Sequence, residues 1–178
     1  MIQYYTLPGF GGSNENHWQS IFERLLPNCN RIEQANWDEP NREDWVETIE
    51  KNLESVDLSN VVFVTHSLGG ITLAHWFKAY GKKVKGAFIV APPHLDENLQ
   101  VEEIKNFLPV PKGELAFPSI LIASTNDQWS AIEDSEKLAK YWGSSFVNIG
   151  DAGHVNADSG FGEWEQGQEL LKSFVEKL

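Results

Sequence analysis

Short apolar runs alternate with longer amphipathic ones along the whole chain. Ile2 to Thr6 (IQYYT) predicts a first strand, ended by Pro8 and the glycines of PGFGG. A helix follows, capped by Ser13 or Asn14. Its apolar positions Trp18, Ile21, Phe22, Leu25 and Leu26 keep the spacing of one amphipathic stripe. Cys29 to Gln34 predicts a short second strand. Asn41 then opens a helix with Trp45, Ile49, Leu53 and Val56 on one side and acids in its first turn.

Val61 to Val64 (VVFV) is an unbroken apolar run, which marks a strand buried on both faces. A helix over Leu68 to Tyr80 follows, closed by Gly81. Val84 to Val90 and Ser119 to Ala123 predict two more strands. Glu133 to Trp142 predicts a helix stopped by Gly143, and Ser145 to Ile149 the last strand. The closing helix spans Glu163 to Lys177, with Trp164, Leu170, Leu171, Phe174 and Val175 apolar.

About six strands in alternation with helices predict the α/β class. The sheet should be mostly parallel, with helices on both faces in a three-layer sandwich. Repeats and linkers are absent, so residues 1–178 read as one domain. Pro92 to Pro118, with five prolines, interrupts the pattern. It predicts an inserted flap above the sheet, with one short helix over Val101 to Phe107 and a small or open site beneath.

Composition narrows the function classes. At 41% hydrophobic residues the chain can build a core. Its apolar runs fall far short of the roughly 20 residues that span a bilayer. The opening MIQYYTLPGF has no basic start and no cleavage pattern, so no signal peptide is expected. The single cysteine, Cys29, allows no intrachain disulfide and suits a reducing, cytoplasmic setting. Its place in PNCNRIE suits a small packed side chain, not a nucleophile. Fourteen Lys and Arg against 26 Asp and Glu give a formal charge of −12. Such a field repels nucleic acid and anionic membrane.

The strongest chemical signal is VVFVTHSLGGITLAHW. Ser67 sits at the corner between a buried strand and a helix, where a serine hydroxyl stands above the sheet's C-terminal edge. The N–H of Leu68, at the helix N-terminus, can bind a developing oxyanion. The G-x-S-x-G pattern reads here Thr65-His66-Ser67-Leu68-Gly69, with threonine in place of the first glycine. Gly70 lies on the other side of the serine and is not expected to compensate. The plainer role for a serine in this position is a helix cap, and the strand–turn–helix setting with two downstream partners favours catalysis over it.

A serine nucleophile needs a base, and the base needs an orienting group. In this kind of turn-and-sheet arrangement the chain order is Ser, Asp, His. Asp127 follows the strand SILIA, and His154 follows the strand SFVNIG, both at C-terminal ends. Asp134 and Asp151 are the alternatives for the acid. Of the other histidines, His66 should pack away from the serine and His75 should lie on its helix surface. His17 belongs to the first helix and His94 to the flap. The loop Leu7-Pro8-Gly9-Phe10-Gly11-Gly12 offers the second oxyanion donor, assigned to the Phe10 N–H. It has neither G-x-G-x-x-G nor a P-loop lysine, so a nucleotide site is disfavoured. Trp18, Trp129 and Trp164 are candidates to line a pocket.

These residues, with the segments LPGFGGSNENHWQ, THSLGG, STNDQW and GHVNADSGFGEW, make the chain similar to a family of small serine hydrolases. That family is the retinoblastoma-binding protein nine and YdeN-like group of the α/β-hydrolase superfamily, and the match runs nearly end to end. The resemblance implies a hydrolase fold trimmed of its first two strands, with triad roles on Ser67, Asp127 and His154 and no metal or organic cofactor. Its substrate would be a small acyl compound, most simply a carboxylic ester. Amide cleavage, acyl transfer and a non-catalytic binding role on the same scaffold are the rivals. The L-x-C-x-E motif for a retinoblastoma-type partner is absent around Cys29, so that partner is not carried over.

Overall fold

The computed structural model describes residues 1–178. Its strands are β1 (Gln3–Leu7), β2 (Cys29–Arg31), β3 (Val61–His66), β4 (Gly86–Val90), β5 (Ser119–Ala123) and β6 (Ser145–Asn148). They form one six-stranded sheet in the order β2-β1-β3-β4-β5-β6. Every neighbouring pair is parallel. All six C-terminal ends therefore lie along one edge, where an open α/β sheet places its ligand.

The helices are α1 (Trp18–Leu25), α2 (Arg42–Leu53), α3 (Leu68–Tyr80), α4 (Ile132–Trp142) and α5 (Glu165–Val175). Side chains of β3 alternate between two cores, as a period of two requires. Val62 and Val64 meet Trp18 and Phe22 of α1 and Leu171 of α5 on one face. Val61 and Phe63 meet Trp45 and Ile49 of α2, Ile71 and Trp76 of α3 and Trp142 of α4 on the other. Every residue of β3 is buried, in keeping with its unbroken apolarity. The sheet is covered on both sides, as the pattern predicted.

Helix ends follow local chemistry at most places. The Asn41 side chain accepts the Asp44 N–H at 3.1 Å and caps α2. Gly81 and Gly143 close α3 and α4 at φ 62° and 68°. The cap of α1 is different from the expected Ser13 or Asn14. His17 takes that role, its Nδ1 accepting the Gln19 N–H at 3.1 Å. A turn closed by the His17 N–H on the Asn14 carbonyl delays the helix. The closing helix is also shorter than Glu163 to Lys177, beginning after Trp164 at φ 41°.

The segment 92–118 is anchored in the core, and its Pro93 and Ile104 also border the cleft that holds Ser67. Ile104, Phe107, Leu115 and Phe117 are buried in the cluster on the α2–α3 face. Its short helix is a 3-10 turn over Glu102–Phe107. The same packing buries His75, expected on the surface of α3: its Nε2–H donates to the Phe107 carbonyl at 2.8 Å. This contact joins residues far apart in the chain, so helical periodicity carried no sign of it.

Candidate active site

The turn from β3 into α3 holds Ser67 at φ 52° and ψ −127°. A non-glycine residue in this region costs about 1–3 kcal/mol and persists only where its surroundings impose it. Here the Ser67 N–H donates to the Val90 carbonyl at 2.9 Å, and the Gly70 N–H donates to the Ser67 carbonyl at 3.0 Å. Gly69 lets α3 approach β1: a side-chain carbon there would stand 2.1 Å from the Leu7 carbonyl oxygen. Gly70 departs from its expected irrelevance. A carbon on Gly70 would lie 3.0 Å from Ile89 Cγ2 and 3.2 Å from the Thr65 hydroxyl oxygen, so Gly70 leaves room that both side chains use. The Ser67 hydroxyl caps nothing in α3.

Instead it reaches the turn after β6. The Ser67 hydroxyl donates to His154 Nε2 at 2.9 Å. On the far side of the ring, Nδ1–H donates to both Asp127 carboxylate oxygens, each at 3.0 Å. The carboxylate accepts only, so it fixes the proton on Nδ1 and leaves Nε2 free to accept. Both side chains are secluded, with 7% of His154 and 3% of Asp127 exposed. The Trp129 N–H donates to Asp127 Oδ1 at 2.9 Å and holds the carboxylate in place. Asp134 pairs with Lys137 and approaches His94, and Asp151 is exposed. The loop after β5 thus brings Asp127, not its alternatives, to the imidazole.

Gly9 stands directly beside the serine. A carbon there would lie 2.7 Å from Ser67 Cβ and 3.0 Å from the Leu68 nitrogen. Leu68, the first residue of α3, has no helical acceptor for its N–H. The Phe10 N–H donates to no backbone carbonyl. Both Phe10 and Leu68 border the cleft that contains Ser67 and His154, about 310 Å³ in volume.

That cleft corrects two of the tryptophan assignments. Trp129 lines it, its ring centre 6.0 Å from that of His154. Trp18 and Trp164 do not. They pack edge to face at 5.1 Å in the core between the sheet and α1 and α5. The Trp18 Nε1–H donates to the Val155 carbonyl at 2.8 Å, so this residue supports the His154 loop from below. The stripe that placed Trp18 on the buried face of α1 was the better guide. Asn14, His17, Asn156 and Asp158 join the cleft without having been singled out. They lie in the loops that follow β1 and β6, within the segments LPGFGGSNENHWQ and GHVNADSGFGEW that carry the family resemblance.

Two further histidines stand in a row with His154. His66 and His154 have ring centres 4.9 Å apart, and His17 and His66 4.7 Å apart. Burial pushes His66 well below the ordinary imidazole value, aided by His17 and His154. Burial, with Arg31 and His154 nearby, lowers His17 to about 4. Both are therefore neutral near pH 7. Cys29 is pushed up to about 12, chiefly by burial, which keeps it a thiol. No group of three or more His, Cys, Asp or Glu side chains is arranged to hold a metal ion. No helix is long and apolar enough to cross a membrane.

Comparison with known proteins gives a consistent assignment. The model of the serine hydrolase family matches residues 4–173. A protein described as a YdeN-like hydrolase, from Pectobacterium atrosepticum, is 30% identical, with a TM-score of 0.86 over 99% of this chain and 91% of its own. The ydeN gene product of Bacillus subtilis shares the fold at 20% identity, with a TM-score of 0.83 over 99% of this chain and 100% of its own. Est1E of Butyrivibrio proteoclasticus, solved with ferulic acid bound, shares it at 12% identity, with a TM-score of 0.72 over 99% and 87%. A search of curated protein sequences returned no match. The extent of the family match and the 30% relative establish that this chain belongs to the serine hydrolase family of the α/β-hydrolase superfamily.

Proposed function

We propose that this protein hydrolyses a small carboxylic ester through an acyl-enzyme intermediate, with Ser67 as nucleophile, His154 as base and Asp127 as orienting acid. The observation that carries this reading is the continuous chain of hydrogen bonds from the Ser67 hydroxyl through both ring nitrogens of His154 to Asp127. His154 Nε2 takes the hydroxyl proton as Ser67 Oγ bonds to the acyl carbon. The carbonyl electrons move to oxygen, where the Phe10 and Leu68 amides stabilise the charge, each worth about 3 kcal/mol in comparable sites. Collapse expels the alcohol, which takes the proton from His154. Water, deprotonated by the same nitrogen, then attacks the acyl-enzyme and releases the acid and free Ser67.

The cleft of about 310 Å³ lies at the small end of ligand sites, which favours a small substrate. It contains no lysine or arginine. Nothing in it would pair with an anionic substrate, so a neutral ester suits it better. The fold is also shared with Est1E, a protein that holds a carboxylic acid, the product class of ester cleavage.

A fluorophosphonate probe tests this. It should label the native protein and leave Ser67→Ala unlabelled, and short p-nitrophenyl esters should be hydrolysed by the first only. Equal labelling of the two would refute the assignment.

A further inference from the structure

His154 is held by more than its side chain. Three consecutive residues, Ala152, Gly153 and His154, each give one backbone group to a side chain from the elements that carry Ser67 or Asp127. The Ala152 N–H donates to Ser124 Oγ at 2.9 Å. The Gly153 N–H donates to Asn126 Oδ1 at 2.7 Å. The His154 carbonyl accepts the Nε2–H of His66 at 2.9 Å. Ser124 and Asn126 are joined to each other, the Ser124 hydroxyl donating to Asn126 Oδ1 at 2.9 Å.

The origin of these side chains gives the arrangement its meaning. His66 is the last residue of β3 and directly precedes Ser67. Ser124 directly follows β5, and Asn126 directly precedes Asp127. The loop carrying the base is thus tied on one side to the strand of the nucleophile and on the other to the turn of the acid. Ser124 is 1% exposed and His66 5% exposed, so their bonds are shielded from competing water. The backbone here is not otherwise restrained by regular structure, since residues 149–164 contain no helix or strand. A base must stay within a fraction of an ångström of its productive place, and a shift of about 1 Å can cost on the order of 100-fold in rate.

We propose that His66, Ser124 and Asn126 are positioning residues that fix the main chain of residues 152–154 and thereby the place of the His154 imidazole between Ser67 and Asp127. This rests on the catalytic reading given above. None of the three needs to touch substrate. Their effect is on the geometry of proton transfer, a step that weighs on turnover more than on substrate binding.

Two pairs of variants test this. Ser124→Ala and His66→Phe remove the bonding group while keeping roughly the size of the side chain. Ser124→Thr restores a hydroxyl, and His66→Gln places an amide N–H near the imidazole Nε2 position. The disrupting variants should lower kcat on the order of 10- to 100-fold with KM little changed, and the restoring variants should recover most of it. Exchange of the Ala152 amide should quicken in Ser124→Ala, and that of the Gly153 amide in Asn126→Ala. Native kcat in the disrupting variants, or restoring variants no better than them, overturns the proposal. If the native protein neither labels with fluorophosphonate nor cleaves esters, the catalytic reading fails by itself. Amide exchange then decides the clamp alone, and unchanged rates at residues 152 and 153 overturn it. A variant that fails to fold, as judged by circular dichroism, is replaced in this scheme by the other pair.

Discussion

The hydroxyl oxygen of Thr65 lies 3.2 Å from the point where Gly70 would carry its first side-chain carbon. The serine turn therefore keeps one glycine's worth of space at this contact but takes it from the helix instead of the strand. Thr65 fills it while wholly buried, and its hydroxyl has no hydrogen-bond partner.

This contact has a measurable consequence. Thr65→Val replaces an unpaired buried hydroxyl by a methyl of the same shape, so it should raise stability by about 1 kcal/mol. Gly70→Ala should instead lower it by about 1 kcal/mol, because the added carbon meets Thr65 and Ile89 and this outweighs the gain in helix propensity. In a Thr65→Gly background the Gly70→Ala penalty should shrink. Urea denaturation of the double-mutant cycle measures this coupling, and strict additivity would disprove the shared space.

Gly9→Ala should separate folding from function. The new carbon would meet Ser67 Cβ at 2.7 Å and the Leu68 nitrogen at 3.0 Å, inside the place assigned to the oxyanion. Ester turnover should fall by about 100- to 1000-fold, as when one oxyanion donor is lost. Circular dichroism should stay native, since Gly9 lies outside the regular elements, while the carbon added at this buried position should cost about 1–3 kcal/mol of stability.

Asp127→Asn should preserve the shape of the site and invert its hydrogen bonding. The amide can donate to His154 Nδ1, which moves the ring proton to Nε2 and leaves no acceptor for the Ser67 hydroxyl. A fall in kcat on the order of 10⁴-fold is expected. Asp134→Asn and Asp151→Asn, which leave the triad bonds untouched, should keep native turnover.

Stability should weaken in mild acid because of buried neutral histidines. His17 has an ordinary value of 6.5 when unfolded and about 4 when folded. As pH falls below 6.5 the unfolded chain takes up the proton first, so the folded state loses ground until about pH 4. Over that window His17 alone accounts for about 3 kcal/mol, and His66 and His75, lowered mainly by burial, act in the same direction. Thermal melts between pH 7 and 4 should show a falling Tm, and His17→Gln should flatten the slope.

The order of elements was written in local pattern. The apolar run at Val61, the glycines after α3 and α4, and Asn41 before α2 each act on neighbours a few residues away, where spacing and propensity suffice. Ser67, Asp127 and His154 could be read for a related reason. In a parallel sheet every strand's C-terminal end lies on one edge, so counting strands places the loops. Folding settled what periodicity does not encode. Whether an aromatic faces a cleft or a core depends on the layer that closes over it, which is why Trp129 borders the site and Trp18 and Trp164 do not. His75 lies buried, not exposed, because a segment some thirty residues on packs against it. The bonds from His66, Ser124 and Asn126 to residues 152–154 belong to the same class. They form between loops whose meeting depends on the whole sheet, and hydrogen bonds to backbone groups leave little trace in which side chains a sequence displays.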